Sequence, residues 1–449
     1  MAETLEQLRQ SDQRHLIHPL HHPQDHQRPL IIVEGRGAII KDSDGREYID
    51  GLSGLWNVAA GHGRVELAQA ASEQMSRLAF ASNYAGLANI PSIRLAERLV
   101  GVSYPNISGV YFTTGGAESN ESAFKIARYY WKVRGRPDKV KIISRTHAYH
   151  GVTMAAMSAT GMAAYHRMFG PLVPNFLQVA PPYPYRWPSG DAGVGAADAL
   201  EQAIQREGAD TVAAFIAEPV MGAGGVIVPP ATYFPRVREI CDRHDVLLIT
   251  DEVITGFGRT GRWFALDHWG VQPDLATFAK AVTSAYLPLG GVLVSQRVHA
   301  ALLEAPPDKK FMHASTYSGH PVCCAVGLRN VEILDTEGLV DRAGPMGRRL
   351  LQGLETLRDL PVVGDVRGLG MMCGVELVDD RVTKAPTVGL GGRVVREALS
   401  RGLLARIRGG SADPAIGDTL CLAPPLMTPE DTLDRISEIL RASIKAAMT

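Results

Sequence analysis

Apolar residues in the middle of the chain follow two alternating patterns. Between about residues 64 and 277, short apolar runs of strand length alternate with longer stretches that carry the helical spacing of apolar positions. The predicted strands lie at 109–113, 140–144, 212–217, 246–250, 275–278 and 291–295. The predicted helices lie at 66–78, 92–100, 119–133 and 233–244. This alternation predicts a parallel sheet covered by helices.

The pattern changes towards both ends of the chain. Residues 37–50 are predicted to form a hairpin, because two short apolar runs flank the turn signal at 42–45. After about residue 326 the predicted elements are helices at 326–336 and 339–358, strands at 362–365 and 371–377, and a closing helix from about residue 428. We therefore predict an arm and hairpin over residues 1–63, a large domain over 64–325, and a small α+β domain over 326–449 that the hairpin joins.

The first thirty residues are rich in histidine. The histidines are His15, His18, His21, His22 and His26. Prolines interrupt this run and no fixed helical or hairpin spacing emerges, so we predict no metal site here. We predict instead an extended arm that lies over the body of the protein or over a partner.

Composition excludes several classes of partner. A net charge of −1 provides no basic surface for nucleic acid or for an anionic membrane. The longest apolar stretch, at 212–231, is interrupted by Glu218 and by glycines and prolines, so no membrane span is predicted. The five cysteines lack metal-type spacing, which is typical of a reducing compartment, and the first residues lack the features of a signal peptide. We expect a cytoplasmic protein.

Two predicted strands end in residues that suggest a specific chemistry. Lys280 follows the strand at 275–278, and Asp251 follows the strand at 246–250. The carboxyl ends of parallel strands form one edge of a sheet, where binding sites lie. An amine and a carboxylate at that edge suit pyridoxal phosphate, whose aldehyde binds an amine and whose pyridine nitrogen needs an anion to stay protonated. Taken alone, Lys280 would more often be an exposed lysine at a strand end, since lysines are rarely buried.

Other strand ends add residues that fit the same cofactor. Gly115 and Gly116 separate a strand from a helix, where backbone N–H groups can approach a phosphate, although an ordinary glycine turn has the same sequence. Tyr149 follows the strand at 140–144 and could stack on a flat ring or pack in the core. Glu218 follows the strand at 212–217. Together these residues predict one site for pyridoxal phosphate.

With these residues in view, the chain resembles the class III aminotransferases, which belong to the fold-type I group of pyridoxal phosphate enzymes. The resemblance extends from about residue 35 to residue 425. Its most specific stretch is 249–261, and further matching stretches are 116–120, 149–151, 218–219, 273–280, 287–291, 316–321 and 366–376. The resemblance implies an α/β fold with a mixed, mostly parallel central sheet, flanking helices and a small α+β domain built from both termini.

The resemblance implies a role for each matched residue. Lys280 should bind the cofactor through its amine and transfer the proton, and Asp251 should pair with the pyridine nitrogen. Val253 and Tyr149 should pack on the two faces of the ring. Glu218 should lie near the cofactor, on the side from which the substrate departs.

The phosphate of the cofactor should be held by backbone amides of Gly116 and Ala117. Ala117 stands where many relatives have serine, so we expect a weaker grip on the phosphate and an intact site. Thr316 should reach the phosphate from the other subunit, which implies a homodimer as the active unit, with a tetramer left open. Ala281 and Ala285 replace glycines that are common after the lysine, which should restrict this turn.

Residues 51–57 resemble the pocket segment of the pyruvate-dependent ω-aminotransferases. Trp56 and Tyr84, together with Tyr149, would form an apolar wall for an amine substrate, although Trp56 could also belong to the core or to a dimer interface. The carboxylate of pyruvate should bind Arg406, since arginine pairs with carboxylates through two hydrogen bonds. Arg408 remains an alternative, because a longer loop at 409–417 follows it.

The expected function is transfer of an amino group from an amine or ω-amino acid to pyruvate, which gives alanine, by a ping-pong mechanism. Class III decarboxylases, aminomutases and racemases share the lysine and the aspartate and are the alternative. A regulatory protein without turnover is disfavoured, because the N-terminal arm is too short and not basic enough for a DNA-binding domain. β-Alanine, 4-aminobutyrate, taurine, diamines, longer ω-amino acids and arylalkylamines all remain as donors.

Overall fold

The computed structural model describes residues 4–20, 22, 24, 27–84, 86–409 and 416–449. The helices in these residues are α1 (Leu5–His15), α2 (Ser53–Trp56), α3 (Val65–Arg77), α4 (Ile90–Val102), α5 (Gly116–Val133), α6 (Met154–Ala159), α7 (Ala163–His166), α8 (Ala192–Glu207), α9 (Tyr233–Arg243), α10 (Gln296–Leu303), α11 (Pro321–Thr336), α12 (Leu339–Glu355), α13 (Leu390–Ser400) and α14 (Glu430–Met448). The strands are β1 (Ile32–Arg36), β2 (Ile39–Asp42), β3 (Glu47–Asp50), β4 (Ile107–Thr113), β5 (Lys141–Arg145), β6 (Phe176–Val179), β7 (Val212–Ala217), β8 (Leu247–Asp251), β9 (Leu275–Phe278), β10 (Gly290–Ser295), β11 (Val363–Gly368), β12 (Cys373–Asp380), β13 (Ala385–Pro386), β14 (Leu403–Leu404), β15 (Arg406–Arg408) and β16 (Thr419–Leu422).

A seven-stranded sheet forms the centre of the large domain. Its strand order is β4-β10-β9-β8-β7-β5-β6, and β10 runs antiparallel to both of its neighbours while the other pairs are parallel. Strands β7 and β8 are buried along their whole length, which explains why they read as continuous apolar runs. The mixed, mostly parallel sheet with flanking helices is therefore confirmed.

The N-terminal hairpin shares a sheet with a C-terminal strand. Strands β2 and β3 form the predicted hairpin, and β14 pairs with β3 in parallel, with Leu403 opposite Ile49 and Leu404 opposite Asp50. A second C-terminal sheet has the order β11-β12-β16-β15. The pairing of β3 with β14 places the turn that follows β3 beside the chain that enters β15. The domain boundaries stay predictions, and this pairing supports a small domain built from both termini.

The prediction of an extended N-terminal arm is wrong for Leu5–His15, which form helix α1. Thr4 caps this helix: its side chain accepts a hydrogen bond from the Gln7 amide, and the Gln7 side chain accepts one from the Thr4 amide. This reciprocal pair is a capping box and is visible in the sequence as Thr-x-x-Gln. No residue of α1 is buried, so the apolar pattern gave no signal for the helix.

Two kinds of feature are absent from the described residues. None of their helices combines the length and the apolar character needed to cross a bilayer. No group of three or more His, Cys, Asp or Glu side chains in these residues is arranged to hold a metal ion. His21 and His26 of the N-terminal arm lie outside the described residues, as do residues 410–415 of the loop at 409–417.

Candidate active site

Five loops meet at the carboxyl edge of the central sheet and enclose a cavity of about 160 Å³. They follow β4, β5, β7, β8 and β9. The sequence-predicted cofactor residues that line the cavity are Gly116, Ala117, Tyr149, Glu218, Asp251, Val253 and Lys280. Parallel strands of one sheet deliver their carboxyl ends to the same edge, so residues as far apart in sequence as Gly116 and Lys280 become neighbours here.

Asp251 is buried, and three donors hold its carboxylate. Oδ2 accepts hydrogen bonds from Asn120 Nδ2 and from His150 Nδ1, each at 2.8 Å, and Oδ1 accepts one from the Val253 amide at 3.1 Å. Asn120 is fixed in turn by Thr277, whose hydroxyl donates to Asn120 Oδ1 at 2.8 Å. Hydrogen bonds to a carboxylate favour its ionised form, so this network suits a fixed negative charge.

Glu218 is a second buried carboxylate at this edge, only 3 % exposed. Its oxygens accept hydrogen bonds from the amides of Tyr149 at 3.1 Å and Gly222 at 2.9 Å. Burial raises the pKa of the Glu218 carboxyl, and the negative charge of Asp251 raises it further. The charges of His150 and Arg145 and the hydrogen bond from the Gly222 amide oppose this rise in the pKa.

Lys280 carries the amine of the site. Burial lowers the pKa of this amine to about 8, although the carboxylates of Asp251 and Glu218 oppose the shift. An amine that loses its proton near neutral pH can act as a nucleophile and as a base. Burial alone does not identify a site, because it also lowers the pKa of Lys139 to about 8, and Lys139 does not line the cavity but donates to the Ala209 carbonyl.

The start of α5 fits the phosphate of pyridoxal phosphate. Helix α5 has 18 residues, and no side chain caps its first turn, so its N-terminal amides point towards an uncapped end. A Cβ at Gly116 would lie 2.8 Å from Val253 Cγ1, and a Cβ at Gly151 would lie 2.5 Å from Ala117 Cβ. Glycine is therefore required at both positions, and bare backbone surrounds the space where the phosphate would lie.

The turn after Lys280 has a strained backbone. Lys280, Ser284 and Ala285 have φ values of 48°, 48° and 66°, which lie in the left-handed region, whereas Ala281 does not. A side chain in this region costs about 1–2 kcal/mol. Of the two alanines that replace glycines of the family, only Ala285 therefore sits where glycine would relieve strain.

Ala285→Gly is expected to raise the free energy of unfolding by up to about 1 kcal/mol, because relief of the left-handed strain exceeds the entropy that glycine adds to the unfolded chain. Chemical denaturation of the holoenzyme would measure the change. Ala281→Gly is the matched control and should destabilise the protein, since Ala281 has an ordinary φ. Equal effects of both substitutions would contradict the strain argument.

A larger cavity of about 460 Å³ contains two of the predicted substrate residues. Trp56 and Arg406 line it, and so does Arg408. The remaining described lining residues are Leu20, Met162, Ala164, Tyr165, Phe169, Ala223, Ile407, Gly409 and Cys421. Tyr165 packs 5.4 Å from Tyr149, ring centre to ring centre, and so connects this cavity with the site around Lys280.

The two arginines of the larger cavity differ in their surroundings. Arg406 is partly buried and lies close to Lys280. Burial is the main cause of the lowered pKa of the Lys280 amine, and the positive charge of Arg406 lowers that pKa further. Arg408 is buried and donates to the Gly417 carbonyl at 3.1 Å. Burial also raises the pKa of Tyr149, and the positive charge of Arg406 opposes that rise. Arg406 is therefore the arginine that is electrostatically coupled to the reacting end of the site.

The remaining two predicted residues are not brought to either cavity. Tyr84 is 41 % exposed and Thr316 is exposed, and neither lines the space around Lys280 or the larger cavity. Their segments contact each other, since Phe80 packs 6.1 Å from Tyr317. Within one chain, the predicted wall of Trp56, Tyr84 and Tyr149 therefore lacks Tyr84.

Several residues that the structure places at the two cavities had no role predicted from the sequence. Asn120 and His150 hold Asp251, and both stand inside motifs that had been matched without a role. Asn120 is four positions after Gly116 on α5 and so faces the same side, which was a usable signal. Leu20 and Phe169 line the larger cavity although both are exposed, and no sequence pattern distinguished them.

Comparisons with known proteins agree with this geometry. Residues 21–444 match the model of the family "Aminotransferase class-III". The putrescine–pyruvate aminotransferase of Pseudomonas aeruginosa is 40% identical and aligns over 92% of this chain and 89% of its own. The taurine–pyruvate aminotransferase of Rhodobacter capsulatus is 38% identical over 97% of this chain and 96% of its own. The solved structure of an (S)-enantioselective ω-transaminase from Thermomicrobium roseum is 45% identical over the whole of both chains, with a TM-score of 0.95.

The chain belongs to the class III aminotransferase family and is a pyridoxal phosphate-dependent aminotransferase of fold type I. Within that family, its similarity to ω-transaminases and to pyruvate-dependent relatives confirms the predicted subgroup. The residues present fit the cofactor, since an uncapped helix end, a buried carboxylate and an amine of lowered pKa surround one cavity. The relatives named above are aminotransferases or transaminases, which favours this activity over the decarboxylase, aminomutase and racemase alternatives.

Proposed function

We propose that the protein transfers an amino group from an amine or ω-amino acid to pyruvate, which gives alanine, by a ping-pong mechanism. The observation that carries this proposal is the junction of the two cavities, one with Lys280 and Asp251 and the other with Trp56 and Arg406. The names of the relatives from Pseudomonas aeruginosa and Rhodobacter capsulatus include pyruvate as the acceptor, which supports it.

In this proposal, the residues of the smaller cavity hold the cofactor and move the proton. When bound, pyridoxal phosphate supplies an aldehyde that takes up amino groups and a ring that stabilises negative charge at the substrate carbon. Lys280 binds it and serves as the base, with a pKa that burial lowers to about 8. Asp251 faces the pyridine nitrogen as a fixed anion.

Five other residues orient the cofactor in this proposal. The amides of Gly116 and Ala117 hold the phosphate at the start of α5. Tyr149 and Val253 pack on its two faces, and Glu218 borders it from the end of β7. Since these groups sit on strand ends and on a helix, their positions are fixed before a substrate arrives.

The larger cavity binds both substrates in turn. Trp56 provides an apolar surface for the chain of the amine, and the Arg406 guanidinium binds the carboxylate of pyruvate through two hydrogen bonds. A long arginine side chain can leave the cavity when an apolar substrate enters.

Arg406→Ala is expected to lower kcat/KM for pyruvate by about 10²-fold and to leave that for an arylalkylamine within about threefold, because only pyruvate loses a charged hydrogen bond. Steady-state kinetics with each substrate varied would measure both. Arg408→Ala is the matched control, since Arg408 lines the same cavity. Equal loss on both substrates, or loss only with Arg408→Ala, would contradict the assignment of Arg406.

The charge of the larger cavity narrows the class of donor. Its described lining residues include two arginines and no aspartate or glutamate. Among these described residues, a second ammonium on the donor would find no counter-ion to offset its lost hydration, whereas an apolar or anionic end would not need one. We therefore infer a preference for apolar amines and ω-amino acids over diamines.

Three donors with a four-carbon chain test this preference, because butylamine, 4-aminobutyrate and putrescine differ only at the far end. With pyruvate as the acceptor, kcat/KM for putrescine is expected to be at least about tenfold below that for 4-aminobutyrate. Alanine formation measures all three rates. A value for putrescine equal to or above the other two would overturn the inferred donor class.

A homodimer is part of the proposal. The exposed Tyr84 and Thr316 lie on touching segments away from the cavities of their own chain, which supports a role for both in the site of a second copy. The five cysteines are free and buried, which supports the predicted cytoplasmic location. Both statements stay predictions.

The visible spectrum of the holoenzyme tests the proposed function. The absorption band of the bound cofactor should fade when an arylalkylamine is added without acceptor, and should return when pyruvate is added, with one alanine formed per site. Double-reciprocal plots at several fixed pyruvate concentrations should be parallel. A band that ignores pyruvate but returns with another 2-oxo acid would reject pyruvate as the acceptor.

A further inference from the structure

Arg145 is a fully buried cation at the end of β5, just behind the cofactor site. It is 0 % exposed. Its Nη2 donates to the backbone carbonyl of Glu218 at 2.6 Å, and its guanidinium carbon lies 5.8 Å from the ring centre of the buried Tyr233. In the described part of the chain it forms no ion pair within 4.0 Å. A buried charge without a counter-ion is costly, so we expect a carboxylate slightly further away to add to the stabilisation from this carbonyl and ring.

Glu218 is the corresponding buried anion. Its two oxygens accept only the backbone hydrogen bonds from Tyr149 and Gly222, and it too lacks an ion pair within 4.0 Å among the described residues. The charged and titratable groups that interact with it are Arg145 at the end of β5, Tyr149 and His150 in the following loop, Asp251 at the end of β8 and Lys280 after β9.

Two positive charges act on the Glu218 carboxyl: that of His150, which has the larger effect, and that of Arg145. Asp251 already accepts hydrogen bonds from His150 and Asn120, and it also acts on Lys280. Strands β5 and β7 are parallel neighbours, so Arg145 and Glu218 emerge side by side at the same edge. The hydrogen bond from Arg145 to the Glu218 carbonyl fixes that proximity.

We propose that Arg145 is a positioning residue of the cofactor site, which fixes the strand end that carries Glu218 and supplies, together with His150, the positive charge that keeps the Glu218 carboxylate ionised. The inference rests on the proposed role of Glu218 as a border of the cofactor site. An ionised Glu218 favours the protonated state of the nitrogen at Lys280. Arg145 therefore controls, through Glu218, the pH at which that nitrogen loses its proton.

The test is a pH titration of the visible band of the holoenzyme without substrate. Glu218→Gln is expected to lower the apparent pKa of the spectral transition by about one unit, because a nearby negative charge is lost. In the Arg145→Met background the same Glu218→Gln change should have no effect, because Glu218 is then already neutral. Arg145→Lys keeps the charge and should restore the response to Glu218→Gln.

An equal shift from Glu218→Gln in the wild-type and Arg145→Met backgrounds would overturn the proposal. If Arg145→Met fails to fold, infrared spectra of the wild type and Glu218→Gln still decide. A protonated carboxyl band at neutral pH that is present in the wild type and lost in Glu218→Gln would show that Glu218 is neutral, and would overturn the proposal. The absence of such a difference between the two spectra supports the proposal. Neither the titration nor the infrared measurement uses a substrate. Their outcomes therefore do not depend on whether pyruvate is the acceptor.

Discussion

Lys280→Ala is expected to lower the rate of amino transfer by at least about 10⁴-fold, the largest loss of any single substitution in the chain. Lys280 places its amine in the cavity that Asp251 and Glu218 also line, and burial lowers the pKa of this amine to about 8. Its removal takes away both the anchoring amine and the base. Single-turnover measurements of the variant, loaded with excess pyridoxal phosphate and then mixed with an arylalkylamine, would give the remaining rate.

Lys139→Ala is the matched control for this experiment. Lys139 is also buried and has a pKa that burial lowers to about 8, but its amine donates to a backbone carbonyl remote from both cavities. Its loss should reduce thermal stability and leave kcat within about twofold. Small primary amines added to Lys280→Ala should restore part of the proton transfer. A Lys280→Ala variant that keeps more than a hundredth of the activity would remove Lys280 from its assigned role.

The central sheet could be predicted because its strands are short, buried and apolar. Strands β7 and β8 are buried on both faces, so they appear in the sequence as uninterrupted apolar runs. The antiparallel direction of β10 could not be read from its residues, because an apolar run has the same composition in either direction. Helix α1 was missed because an exposed helix carries no apolar stripe.

The residues of the candidate site could be predicted where they follow a strand of the central sheet. Lys280, Asp251, Glu218 and Tyr149 all follow strands of one sheet, and the topology alone brings them to one cavity. The partners of Asp251 were harder to find, since His150 reaches it from a neighbouring loop and Asn120 from a helix. These contacts depend on side-chain packing between elements, which a single sequence does not encode as a pattern.

The larger cavity was predicted least well. Trp56 and Arg406 meet there because β3 and β14 pair across more than 350 residues of sequence, and no local signal specifies that pairing. Leu20 reaches the same cavity from the N-terminal arm, which had been predicted to be extended. In the proposed homodimer, Tyr84 and Thr316 act in the site of a second copy of the chain, so their placement would depend on assembly and not on the fold of one chain.

Asp251→Asn is expected to lower kcat by about 10³-fold with little change in the fold, because it removes a buried negative charge at nearly constant shape. Three donors surround this carboxylate, from Asn120, His150 and the Val253 amide. An amide side chain can accept fewer of these hydrogen bonds and carries no charge. The site would then lack the fixed anion that faces the pyridine nitrogen in the proposed function.

Asp274→Asn is the matched control, since Asp274 is also buried and accepts hydrogen bonds from charged and backbone donors, here Arg238, Arg297 and the Leu248 amide. It does not line either cavity, so its loss should reduce stability and leave kcat within about twofold. Measuring kcat and the melting temperature of both variants separates catalysis from folding. If Asp251→Asn retained more than a tenth of wild-type kcat, or lost activity only in proportion to its loss of folded protein, the carboxylate would be structural and the fixed anion would have to be supplied by Glu218.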